Sequence, residues 1–467
     1  MRIVMKFGGT SVGSAERIAQ ATEIVRGEVN KKNNVVVVLS AMSGVTNTLL
    51  GALKDAANGN MGKLLQTRDE LLKKHLDVIN ALVKNPTARE QLTATTTSAL
   101  DRFEDLCSSI YVLGEITARA TDAVGSLGER LIVPIAAQAF NDAGIKAQWI
   151  AANELIVTDE NFVSASPLME ETRVQTRAKI LPILETGNVA VTTGFIGATK
   201  KGIITTLGRG GSDYTATIVG AAIDADEVQI WTDVNGVMTT DPRIVPEAIT
   251  LPEISYGEAA ELSYFGAKVI HPKTILPVAA KNTPIRILNS FEPTHPGTLI
   301  VREPKGNGSP IRGITAIRNV SLVTVEGRGM QGVVGMAARV FSSVARNHIS
   351  VLMFSQSSSE QNICLVIESS GAPNAVSELE REFQSEIRAQ NIERVWAQDK
   401  IVIIAIVGSA IKTTPGIAAQ VFTALAEKNI NVIAIAQGSS EYNLSLVVDE
   451  NEADNAVRAI HRSIVKK

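Results

Sequence analysis

Ile3-Val4-Met5-Lys6-Phe7-Gly8-Gly9 passes without a break from an apolar, β-like run into a double-glycine turn with a lysine beside it. A second turn, Gly208-Arg209-Gly210-Gly211-Ser212-Asp213, closes another β-like run in the same manner. Glycine lets backbone N–H groups approach an anion closely, and Lys or Arg adds positive charge where a transferred phosphoryl group develops negative charge. Neither turn has the G-x-x-x-x-G-K-[ST] spacing of a P-loop, so the pattern points to phosphoryl transfer on another scaffold.

Outward from these turns, Val- and Ile-rich runs alternate with segments of helical period, the mark of α/β layers around a largely parallel sheet. After Ile3-Val4-Met5, Ser14 can cap a helix, and Val35 to Leu39 reads as a strand covered on both faces. Residues 61–120 read as long amphipathic helices. Further strands are predicted at Gln148-Trp149-Ile150, Val189 to Thr193, Ile203 to Thr206, Val228 to Thr232 and Ile285 to Leu288. The Pro/Gly-rich stretches at 292–297 and 304–310 mark the main boundary, giving domains at 1–300, 312–397 and 398–467.

The 467 residues, 45% hydrophobic and only 4% aromatic, are enough for two or three cores packed from Val, Ile, Ala and Leu. A formal charge of −3 gives no general pull toward nucleic acid or anionic membrane, so small molecules and further copies of the chain are the expected partners. Cys107 and Cys364 form no metal-ligand pattern, and no protein metal cluster is expected. No apolar run reaches the roughly 20 residues of a membrane span, and the first strand starts without a signal-peptide layout, which together read as cytoplasmic.

Beyond residue 310 the chain repeats itself with a constant offset of 81: 422 − 341 for Phe341 and Phe422, 437 − 356 for Gln356 and Gln437, 441 − 360 for Glu360 and Glu441, and 443 − 362 for Asn362 and Asn443. Each copy reads as a split βαβ unit. The first copy has a last strand available near Ile392 to Ala397, whereas the second runs out after the helix through Ala456 to Ile464, so another segment must close its sheet. The first copy also holds a literal G-x-G-x-x-G, Gly327 to Gly332. The equivalent Gly408 to Thr413 breaks that pattern and the next strand ends in Met353-Phe354-Ser355 with no acidic residue for a ribose, which argues against a dinucleotide site.

Six longer motifs carry a resemblance. Lys6 to Val12, Ser126-Leu127-Gly128-Glu129-Arg130, Gly208 to Tyr214, Trp231 to Val237, Asp241-Pro242-Arg243 and Phe265 to Pro272 together resemble the aspartate kinases of the amino-acid kinase superfamily, and the tandem repeat resembles their paired ACT domains. The resemblance covers essentially the whole chain. It implies a mainly parallel, three-layer α/β/α catalytic domain followed by two ferredoxin-like βαββαβ ACT domains. The implied reaction phosphorylates the β-carboxylate of L-aspartate with MgATP to give 4-phospho-L-aspartate, the first step toward lysine, threonine and methionine.

By the same resemblance, Lys6, Asp213 and Lys268 are the catalytic candidates, with Asp213 orienting the lysines or holding Mg²⁺ through water. Arg209 would take the substrate carboxylate and Glu129 its ammonium, with Thr46, Phe195 and Ser212 as further contacts. ATP would lie against Lys6, Gly8, Gly9, Thr232, Asp233, Gly236, Met238, Arg243 and Lys268. Met238 stands where the family usually has Tyr. Gln356, Asn362, Gln437 and Asn443 are the candidate effector contacts, with threonine favoured over lysine because no additional acid is obvious beside Gln356. A homodimer or tetramer through the ACT units is implied, and no fused homoserine dehydrogenase is expected after Lys467.

Taken singly, these residues have plainer readings. Glu129 and Arg130 could complement a helix dipole, Asp233 and Asp241 sit in turn-like contexts, and His271 before Pro272 fits a helix cap. The repeats alone could be a dimerisation module. A regulatory subunit without activity, or another carboxylate kinase such as acetylglutamate kinase, is the competing function; Glu129 suits a free ammonium better than an acetylated nitrogen.

Overall fold

The computed structural model describes residues 1–266, 270–305, 310–357, 361–438 and 442–464, and these fall into two compact units. The first comprises Met1–Val237, Thr250–Tyr256 and Lys268–Lys305. Met238–Ile249 and Gly257–Ala267, which the boundary near residue 300 assigned to the first domain, group instead with Gly306–Lys467.

The first unit is built on an eight-stranded sheet, ordered Ala147–Ile150, Val189–Thr193, Asn34–Leu39, Arg2–Phe7, Glu227–Thr232, Ile285–Asn289, Thr298–Val301 and Glu253–Ser255. The first six run parallel, and Thr298–Val301 pairs antiparallel to Ile285–Asn289. Val35 to Leu39 is fully buried, as a strand with helices on both faces requires. Met5 and Phe7 enter the core shared with helices Ala15–Asn30, Val45–Ala57 and Leu127–Asp142. Val4 points the other way, toward helix Gly211–Ala222, where a Cβ on Gly220 would stand 2.7 Å from Val228 Cγ2 and 3.7 Å from Val4 Cγ2. Strand alternation therefore puts Lys6 on the same face as that helix.

Residues 61–120 form helices Leu64–Leu82 and Pro86–Leu113 and the start of Ala118–Gly125. The predicted strand near Ile203 exists as Ile204–Thr206 but leaves the main sheet, pairing with Ile196–Thr199 in a separate three-stranded sheet. Among the described residues no helix is long and apolar enough to cross a membrane.

The second unit carries a six-stranded sheet ordered Val351–Gln356, Asn362–Glu368, Gly313–Glu326, Arg394–Val407, Asn443–Asp449 and Ala434–Ala436. Its neighbours pair antiparallel. Two strands of 14 residues, Gly313–Glu326 and Arg394–Val407, run through both repeats. Val323 to Glu326 pairs with Arg394 to Ala397 in the first copy, and Gly313 to Ile317 pairs with Ile403 to Val407, closing the sheet of the second.

The glycine motif at Gly327 has a packing explanation. A Cβ on Gly327 would lie 2.4 Å from Asn391 O, and one on Gly408 would lie 2.1 Å from Pro310 O. The two contacts keep the repeat offset, since 408 − 327 and 391 − 310 both equal 81. Each glycine admits the chain entering a long strand, and no ligand is needed to account for it.

Candidate functional site

The carboxyl ends of Arg2–Phe7, Asn34–Leu39 and Val189–Thr193 open onto one cleft of about 690 Å³ in the first unit, the usual ligand position in an open parallel sheet. Lys6, Gly9, Thr46, Glu129, Phe195, Arg209, Ser212 and Asp213, far apart in sequence, all line it.

Lys6, only 8% exposed at the end of its strand, meets Asp213 in the first turn of helix Gly211–Ala222, with Nζ 2.5 Å from Oδ1. The buried pair fixes a cation at the floor of the cleft. Gly210 precedes this helix with φ 71°, a conformation that favours glycine. Beyond it, a Cβ on Gly211 would stand 2.6 Å from Phe195 Cδ2, and one on Gly194 would stand 2.5 Å from Ser212 Cβ. These close approaches bring Phe195 and Ser212 together. Between left-handed Gly208 and Gly210, Arg209 is exposed and has no ion pair among the described residues.

Glu129 lies in the first turn of helix Leu127–Asp142 and is 4% exposed. Gly128 lets the helix start against the 41–46 loop, since a Cβ there would lie 2.6 Å from that of Ala41. Burial pushes the Glu129 carboxyl up to about 8, against the opposing pull of the Ala41 backbone N–H and the charge of Lys6. Its Oε2 is buried without a hydrogen-bond partner among the described residues. A cationic ligand group would answer that unsatisfied oxygen.

Several residues that sequence reasoning missed complete the wall. Asp122 is fully buried and accepts from the Val163 N–H at 3.0 and 2.9 Å and from Thr206 Oγ1 at 2.5 Å. Burial raises its carboxyl above the ordinary range, and the Thr206 and Val163 bonds pull the other way. Val163, partly exposed and lining the cleft, has φ 73°, which for a β-branched residue costs on the order of 1–3 kcal/mol. Nothing in the sequence separates Asp122 from an ordinary helix-surface acid.

Other expectations fare differently. The Gly8 N–H donates to Trp231 O at 3.1 Å, so the anion-donor role expected of it is taken by the fold. Thr232 ends the neighbouring strand and donates to Asp233, just after it, at 3.2 Å, and neither lines the cleft. Gly236, at φ 107°, is required by packing, since a Cβ would stand 2.4 Å from Thr298 Oγ1. Met238 and Arg243 belong to the second unit, where Arg243 is held by Asp241 at 2.6 Å. His271 caps helix Pro272–Ala279, its Nδ1 accepting from the Lys273 N–H at 3.2 Å. Lys268 lies outside the described residues, as do Glu360 and Glu441.

In the second unit Gln356 and Gln437 are exposed at the ends of the two edge strands, and Asn362 is half-buried. Asn443 is buried and donates through Nδ2 to Glu261, which commits that amide within the fold. Among the described residues no group of three or more His, Cys, Asp or Glu could hold a metal ion.

Comparison with known proteins agrees with this geometry. Residues 1–289 match the amino acid kinase family, and 323–383 and 404–464 each match the ACT domain. The bifunctional aspartokinase/homoserine dehydrogenase of Haemophilus influenzae is 36% identical over 99% of this chain and 56% of its own length. The chain thus spans about half the length of the first curated relatives it matches. Among solved structures, E. coli aspartokinase III in complex with aspartate and ADP (R-state) superposes with a TM-score of 0.83 at 30% identity, covering 100% of both chains. The same enzyme in complex with lysine and aspartate (T-state) gives 0.79 at 30% identity over 99% of each.

Proposed function

This chain belongs to the amino acid kinase family, in its aspartokinase branch with tandem ACT domains, and on that premise we propose that it phosphorylates the β-carboxylate of L-aspartate with ATP. The observation that carries the reading is the presence in one cleft of Glu129, whose Oε2 has no hydrogen-bond partner among the described residues, and the exposed Arg209 guanidinium, which has no ion pair among them. An α-amino acid offers the ammonium for the first and the carboxylate for the second. Thr46, Phe195 and Ser212 lie where they would contact the rest of such a substrate.

A β-carboxylate is already ionised at neutral pH, so no general base is required. One of its oxygens bonds to the γ-phosphorus of ATP as the bond to the bridging oxygen breaks, and ADP departs with that electron pair. Lys6, held by Asp213, neutralises charge on the transferring group; Gly211, Ser212 and Asp213, at the N-terminus of helix Gly211–Ala222, line the same cleft. Gly9 lines the floor, and Lys268 is proposed as the second cation. Mg²⁺, when bound, would neutralise phosphate charge, and Asp213 fits as its protein anchor because this ion keeps most of its waters. Thr232, Asp233 and Gly236 are proposed for the nucleotide, next along the sheet edge.

The ACT repeats are proposed to sense an amino acid, with Gln356 and Gln437 as contacts, and to join copies of the chain. The chain's own polar residues favour threonine; the lysine complex of the E. coli enzyme makes lysine the specific alternative. Hydroxylamine trapping tests both proposals. Aspartyl hydroxamate should form with MgATP and aspartate, disappear in Lys6→Ala, and fall when the effector is added. No hydroxamate above the Lys6→Ala background would overturn the kinase reading.

A further inference from the structure

We propose that Asp122, which lies behind the cleft-lining residues, is a positioning residue that sets the substrate-carboxylate side of the cleft. The inference rests on the reading of Arg209 as the carboxylate site. Asp122 ties three separate pieces of chain together. It sits in helix Ala118–Gly125, whose Thr121 and Gly125 line the cleft. Its two carboxylate oxygens accept from the Val163 N–H, and one also accepts from Thr206 Oγ1. Thr206 in turn reaches back, its hydroxyl 3.3 Å from Val163 O and its carbonyl accepting from the Ala165 N–H at 2.9 Å.

The held segment is one that would not adopt this shape unaided. Val163 is β-branched, 41% exposed and left-handed, so core packing does not account for the conformation, and its N–H is held by the buried Asp122 carboxylate. The segment then bears on the arginine turn. Gly208, two residues after Thr206, lies so close to it that a Cβ would meet Ser164 Oγ at 3.1 Å and Val163 O at 3.4 Å. The Asp122 carboxylate therefore fixes both walls from which Arg209 projects, the strand end at Thr206 and the Val163-Ser164 backbone against Gly208.

The two substrates separate this role from a merely structural one. Asp122→Ala leaves the Val163 N–H and the Thr206 hydroxyl without their acceptor, and should raise the KM for aspartate about tenfold to a hundredfold while that for MgATP stays within about threefold. Asp122→Asn, which can still accept through Oδ1, should lie between, with aspartate KM raised about threefold to fivefold. Hydrogen exchange of the 159–165 amides should quicken in the same order. Equal rises in both KM values, or a wild-type aspartate KM in Asp122→Ala, would overturn the proposal. If Asp122→Ala does not fold, Asp122→Asn decides: a selective rise with faster exchange supports the assignment, and wild-type values refute it. An unmodified protein that makes no aspartyl hydroxamate would instead refute the underlying kinase reading.

Discussion

Replacing Glu129 with Gln should stabilise the ligand-free protein at alkaline pH and cripple aspartate binding. The carboxyl stands at about 8 in the fold against an ordinary 4.5, because burial disfavours its charged form. Between those two values the unfolded chain has released the proton and the folded chain retains it. Stability from this group therefore falls as pH rises across the window, and the loss is complete above the folded value. At about 1.4 kcal/mol per pH unit the ceiling is about 5 kcal/mol; a third of it, ~1.5 kcal/mol, corresponds to a Tm rise of roughly 2–3 °C for a unit of this size. Glu129→Gln, an uncharged isostere, should show that rise at pH 8.5 and almost none at pH 5 when melted without ligand. Binding runs the other way. Removing one member of a buried, hydrogen-bonded charge pair costs about 2–5 kcal/mol, so aspartate KM should climb at least ~30-fold. Differential scanning fluorimetry at the two pH values, with and without aspartate, reads both effects. A variant with unchanged alkaline Tm and an aspartate KM within about threefold of wild type would refute the reasoning.

Lys6→Met should lower kcat by about 10²–10³ with a smaller change in aspartate KM, because the cation acts on charge that develops during transfer; equal loss in binding and turnover would contradict this. Arg209→Lys keeps the charge but loses the planar fork, and aspartate KM in steady-state assays should rise about tenfold. In the second unit, Glu258 is fully buried, paired with Arg312 at 3.3 Å and accepting from the Ser409 N–H at 3.0 Å; Glu258→Ala should destabilise by about 3–5 kcal/mol in urea unfolding. Gly408→Ala sets a methyl 2.1 Å from Pro310 O and should lower Tm by several degrees, whereas Gly416→Ala, with open space but φ 88°, should cost only about 1 kcal/mol.

The parallel strands were legible because burial on both faces writes itself as an apolar, β-branched run, as in Val35-Val36-Val37-Val38-Leu39 and Val189-Ala190-Val191-Thr192-Thr193. Glu129, Arg209, Lys6 and Asp213 were legible because they sit within longer motifs, and the cleft collects all four. The Ile196–Thr199 strand was missed because it is short and ends in a polar turn. Asp122 was missed because its burial arises from Val163 and Thr206, residues 41 and 84 positions away, and local pattern carries no trace of such a contact. Gly8 shows the opposite error: an anion donor was read where a backbone bond to Trp231 is the cause.

The two long strands shared by the repeats constrain how the chain can be made. Gly313 to Ile317 finds its partner only when Ile403 to Val407 exists, roughly 90 residues later. At typical synthesis rates of about 5–20 residues per second that delay is on the order of 5–20 s. Throughout it the early segment, Gly313-Ile314-Thr315-Ala316-Ile317, is an unpaired edge open to wrong pairings. Neither repeat is a self-sufficient module, so a cut between residues 389 and 394 would take one strand from each sheet. The duplicated pair is the smallest part of this region that can be expected to fold.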